Sequence, residues 1–117
     1  MSGLRKPLFI AQTPFPAAPK VALYEDAWNN HIVRRHPEMT GKEQEVQAVV
    51  TTPSIVLPGQ ENTDYVVYVN QEVTSPGGTP LSVIVDPQEQ VIVTSYYNRT
   101  MRVIPLEQAL WLPSKTK

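Results

Sequence analysis

The chain contains no cysteine. That excludes disulfides, thiolate metal centres and a cysteine nucleophile, and it leaves the redox compartment open. Histidine is scarce, with two residues, His31 and His36, so a zinc site built from histidines is not expected. Positive charge is not in excess. Ten Lys and Arg face eleven Asp and Glu, for a formal net charge of -1. No overall basic field attracts nucleic acid, so any polyanion site has to be local. No apolar run approaches the roughly 18 residues of a membrane-spanning helix. A basic stretch followed by a long apolar one is also missing at the N-terminus, so neither a membrane partner nor a signal peptide is expected and the cytoplasm is the default. The sequence has no Walker loop, GxGxxG, GxSxG or HExxH, and no cofactor is implied.

What is present is the composition of one folded domain. The 117 residues are 41% hydrophobic and 18% charged, enough for one modest core and outside the disordered range. Residues 1–7 are polar, and residues 8–11 read as a short edge strand. Pro14, Pro16 and Pro19 make residues 13–20 an extended connector. Residues 1–20 thus form an extended, proline-rich N-terminal arm, and residues 21–117 the single domain. Such an arm can dock in polyproline II form, although it carries no basic residue between Thr13 and Pro19 to complete an SH3-type ligand.

A first helix is predicted over residues 23–35. Tyr24, Ala27, Trp28, His31, Ile32 and Arg35 share one stripe. Glu25 and Asp26 lie in its first turn and Arg34 and Arg35 in its last, matching the helix dipole. Pro37 disfavours helix at His36 and ends it. A second helix is predicted over residues 42–51, with Thr40 and Glu43 as a capping box, a core stripe of Val46, Val49 and Val50, and Pro53 as terminator. After that the chain turns to short apolar runs at 54–57, 65–69, 81–85 and 91–97, separated by turns such as Ser75-Pro76-Gly77-Gly78. Short connections imply antiparallel pairing. Alternation places Ile92, Thr94 and Tyr96 on one face of the last strand and Val91, Val93, Ser95 and Tyr97 on the other. The expected class is α+β: two N-terminal helices packed on an antiparallel meander of about four strands. A barrel-like sheet closed by the C-terminal segment is the second possibility.

The densest chemistry lies between His31 and Glu38, where two histidines, two arginines and a carboxylate fall within eight residues. A helix end with Glu38 paired to an arginine explains this equally well. The last strand adds Thr94, Ser95, Tyr96, Tyr97, Asn98 and Arg99. Together these are the groups of a metal-independent ribonuclease. That reaction takes a proton from a 2′-hydroxyl, protonates the leaving 5′-oxygen and stabilises charge on phosphorus in between. Histidine or a carboxylate suits the proton transfers. The arginine fork binds two phosphate oxygens at once. Threonine and tyrosine can fix the phosphate or stack a base.

The order of elements carries a resemblance. A helix runs into His-Ile-x-x-Arg-His-Pro-Glu-Met at 31–39. A valine-rich helix, a strand ending in proline, a tyrosine-containing strand, a Val-Ile-Val strand and a last strand ending Thr-x-Tyr follow. Over residues 21–99 this resembles the phage-associated toxin branch of the barnase, EndoU, colicin and RelE-like ribonuclease superfamily. The resemblance implies an α+β ribonuclease-like domain with its active site on the sheet beside the first helix, and RNA cleavage without a metal. It implies His31, Arg35, His36, Thr94 and Tyr96 as catalytic, with RNA and a cognate inhibitor protein as partners; Arg34, Glu38, Tyr97 and Arg99, from the same two stretches, are the candidate substrate-binding residues. Such toxins are usually basic, and this chain departs from them in being slightly acidic. The alternative is a non-catalytic protein-binding module on the same fold, docking by a sheet edge or by the arm.

Overall fold

The computed structural model describes residues 6–113; what was expected of residues 1–5 and 114–117 lies outside them. Strand β1 (Pro7–Gln12) pairs antiparallel with β2 (Lys20–Tyr24). Helix α1 follows as one helical run, α-helical at Glu25–Ala27, π-helical at Trp28–Ile32 and α-helical again at Val33–Arg35. A 3₁₀ turn at Pro37–Met39 leads to α2 (Glu43–Thr51). Strands β3 (Ile55–Pro58), β4 (Val66–Thr74), β5 (Pro80–Asp86) and β6 (Val91–Tyr97) then form an antiparallel succession. Two 3₁₀ turns close the chain, at Arg99–Arg102 and Leu106–Gln108.

The expectation of two N-terminal helices on a four-strand antiparallel meander is corrected. The sheet has six strands in the order β1-β2-β6-β5-β4-β3, and it is mixed, because β2 runs parallel to β6 with Ala22 opposite Val91. The two helices are short. The error began at residues 20–24, read partly as helix. Val21, Ala22 and Leu23 are all buried, and a short apolar run buried on both faces has the same signature as a helix start. These residues are held as a strand by five pairs with β1 and by one with β6, where the Ala22 amide donates to the Gln90 carbonyl (3.0 Å). The edge strand expected at residues 8–11 is present as β1, but residues 7–19 are not an arm apart from the domain, since Ala11, Phe15 and Ala18 belong to the main core. The expected capping box is absent: α2 has no side-chain cap, and Thr40 Oγ1 donates to the Pro37 carbonyl (2.8 Å). Gly41, at φ 79°, sets Thr40 outside the helix start. Nor does the C-terminal segment close a barrel. It lies along β3, with Leu110 donating to the Val56 carbonyl (2.7 Å) and Val56 to that of Trp111 (3.1 Å).

Both faces of the sheet are covered. On one face Trp28, Ile32, Met39 and the α2 valines pack against Leu23, Tyr68, Val83 and Ile92. On the other, Ile55, Leu57, Val67, Val69 and Met101 form a smaller cluster beside Ile84 and Ala109. This second face is only partly sheltered, and the cleft lies there. No helix among the described residues is long and apolar enough to cross a membrane.

Candidate functional site

A β-bulge in β6 positions the floor of the site. Ile84 stands opposite Thr94 but Val85 opposite Ile92, so Val93 is an extra residue on β6. The insertion reverses the alternation within the strand. Ile92 enters the main core beside Val85, while Thr94 and Tyr96 turn to the second face with Ile84. The even alternation expected from the sequence, which kept Ile92 with Thr94 and Tyr96, is thereby corrected. An unbulged strand would have placed either Ile92 outside the core or Thr94 and Tyr96 inside it.

Helix α1 supplies one wall. Its π turn, with the Val33 amide donating to the Trp28 carbonyl, carries His31 in its widened section. Such turns are frequent at functional sites. Trp28 and Ile32 anchor the helix in the core. His31, Arg35 and His36 face the cleft, the histidines half-buried and the arginine exposed. The His36 imidazole stacks on the Tyr96 ring, with centroids 5.1 Å apart and planes 20° from parallel. Glu38 Oε2 lies 3.8 Å from His36 Nδ1. Glu38 thus approaches a histidine rather than the arginine expected of a salt-bridged helix end.

The opposite wall is the loop between β3 and β4. The Gly59 amide donates to the Tyr65 carbonyl (2.9 Å), and the Tyr65 amide to that of Asn62 (3.1 Å). A Cβ on Gly59 would fall on the Asn62 carbonyl oxygen, so the tight loop requires glycine there. Gln60, Glu61 and Asn62 line this wall, and Asn98 and Met101 close one end. The cleft measures about 380 Å³, within the roughly 300–1,000 Å³ common for small-molecule sites.

The cleft is lined by a guanidinium, Arg35, and a carboxylate, Glu61. Tyr96 has its phenol pKa raised above the ordinary 10.0, first by burial and then by the Glu61 carboxylate. It therefore stays protonated and able to donate a hydrogen bond at neutral pH. Among the described residues no group of three or more His, Asp or Glu is placed to hold a metal ion.

All five residues expected to be catalytic, His31, Arg35, His36, Thr94 and Tyr96, line this one cleft. The four expected to bind substrate do not. Arg34 points to solvent, about 100° around the helix from Arg35. Tyr97 alternates onto the opposite face and packs against the main core. Arg99 is exposed at the start of the 3₁₀ turn, and Glu38 reaches the cleft only through His36. Sequence reasoning missed Gly59, Glu61, Asn62 and Tyr65. The one local hint was Pro58-Gly59, legible as a strand end but not as a wall of this cleft. Comparison with known protein families, curated proteins and solved structures finds no match to the chain.

Proposed function

We propose that the chain is a metal-independent endoribonuclease of the toxin type, cleaving RNA by acid–base catalysis in this cleft. One observation carries the reading. Residues about sixty positions apart, from the end of α1 and from β6, line one open cleft holding two imidazoles, a guanidinium and two hydroxyls. In this mechanism one of His31 and His36 takes the 2′-hydroxyl proton as that oxygen attacks phosphorus. The other protonates the departing 5′-oxygen. Arg35 carries the negative charge of the phosphorane through its paired N–H groups. Thr94 and the protonated Tyr96 phenol orient the phosphate from below. The resemblance of residues 21–99 to phage-associated toxins supports the same reading and adds a cognate inhibitor protein as a partner.

The test is cleavage of single-stranded RNA in EDTA by wild type, His31→Ala and Arg35→Lys, each shown to be folded. Removing an acid–base group is expected to slow cleavage by about 10²–10⁴-fold. Lysine at position 35 loses the bidentate fork and is expected to be harmful as well. No cleavage by wild type, or equal cleavage by all three, refutes the proposal.

A second reading, a non-catalytic protein-binding module, is favoured by strand β1. It is one of the two outer strands of the sheet, the other, β3, being bridged by Trp111, and its Leu8 and Ile10 are 40% and 58% exposed. Such an edge can accept a partner strand. Binding partners without RNA cleavage would select this reading.

A further inference from the structure

We propose that Asn98 is a further ligand-binding residue of the cleft, donating a hydrogen bond from its side-chain amide to a bound phosphate oxygen. The assignment rests on reading the cleft as a phosphate site, and its experiment separates the two.

Asn98 follows Tyr96 by two positions, and its amide extends the ladder by donating to the Pro80 carbonyl (2.8 Å). Strand alternation therefore continues the row Thr94, Tyr96, Asn98 along one face, and all three line the cleft. Asn98 is only 8% exposed, so its polar atoms need partners. Its Oδ1 has two, accepting from the Thr100 amide (3.1 Å) and the Thr100 hydroxyl (2.6 Å). A backbone N–H only donates, so the oxygen must be the atom facing Thr100 and the side-chain orientation is fixed. The Nδ2 group is thereby turned away from Thr100, and it is not among the buried atoms left without a partner. A donor on a residue that borders the cleft, its orientation fixed by the cap, is matched by an anionic oxygen that enters from the cleft. The Arg35 guanidinium, which also lines the cleft, favours the same ligand.

The turn after Asn98 does not depend on the Nδ2 group. Met101 is buried in the second cluster, its amide donates to the Asn98 carbonyl (3.1 Å), and Arg102 donates to the Thr79 hydroxyl (2.8 Å). Two substitutions can therefore remove the donor and keep the cap. Asn98→Asp preserves an acceptor for Thr100 and replaces the NH₂ with oxygen. Asn98→Ser also caps well, is neutral and is too short to reach the cleft. Because aspartate repels an anion through charge alone, the serine variant is decisive.

The experiment is titration of folded wild type, Asn98→Asp and Asn98→Ser with inorganic phosphate. Amide NMR includes the Asn98 side-chain resonances, and RNA cleavage in EDTA is measured in parallel. The expected result is a phosphate-dependent shift of the Asn98 NH₂ signals in wild type, and affinity at least about tenfold weaker in both variants at unchanged melting temperature. That factor is the lower end for a hydrogen bond to a charged group. The same result from a wild type that cuts no RNA supports the phosphate donor and refutes the nuclease. Phosphate binding weakened in Asn98→Asp but not in Asn98→Ser overturns the assignment, as does cleavage and binding at wild-type levels in both. Absence of phosphate binding to wild type overturns it too.

Discussion

Replacing Trp28 with alanine tests the placement of α1, and with it the cleft. Trp28 is 3% exposed and sits in the main core at the start of the π turn. A buried tryptophan removes roughly 200 Å² from water, worth about 5 kcal/mol at ~25 cal/mol per Å². Compaction of the unfolded chain lowers that figure, and partial collapse around the gap sets the measured loss. The expected destabilisation is about 3–5 kcal/mol. It takes a large share of the 5–15 kcal/mol typical of a domain. At about 4 °C per kcal/mol for this size, the midpoint of thermal unfolding falls by about 12–20 °C. Urea denaturation followed by circular dichroism avoids relying on the indole that has been removed, and a shifted midpoint at constant slope identifies a stability effect. Arg34→Ala, on the exposed side of the same helix, is the control and should stay within about 0.5 kcal/mol. A loss below about 1 kcal/mol for Trp28→Ala refutes the assignment of the helix face.

Gly59→Ala forces the loop opposite α1 to shift, because the new Cβ meets the Asn62 carbonyl. A loss of about 1–3 kcal/mol is expected, as for overpacking, together with reduced ligand binding in the cleft; wild-type stability by urea denaturation contradicts this. Alkaline pH should weaken the fold through two tyrosines. Tyr68 is raised by burial, partly offset by its hydrogen bond with Thr13, and Tyr96 by burial and then Glu61. A raised folded-state pKa means the native protein holds its proton more tightly than the unfolded chain. That stability is therefore complete below about pH 10 and is lost as pH rises through the folded values. Urea midpoints measured from pH 8 to 11 should fall above pH 10 in wild type and less steeply in Tyr96→Phe; equal slopes would remove Tyr96 as a contributor.

Local signals in the sequence were enough for α2, for strands β3–β6 and for the turn at Ser75–Gly78, because periodicity, β-branching and turn chemistry act over a few residues. They also placed His31, Arg35, His36, Thr94 and Tyr96 among the candidate groups, but without separating them from Arg34, Glu38, Tyr97 and Arg99, which do not line the cleft. Tertiary structure decided the rest. Residues 20–24 became a strand because they pair along their length with β1 and, at Ala22, with Val91 of β6. Val93 became a bulge because Ile92 and the Thr94–Tyr96 pair belong on opposite faces of a sheet buried on both sides, and no strand of regular alternation satisfies both. Gly59, Glu61 and Asn62 became a wall of the cleft only when β3 and β4 paired and brought their loop across from α1. The types of group available for chemistry are set by composition and local pattern. Which of them face one another is set by strand register and by one inserted residue, both products of long-range pairing.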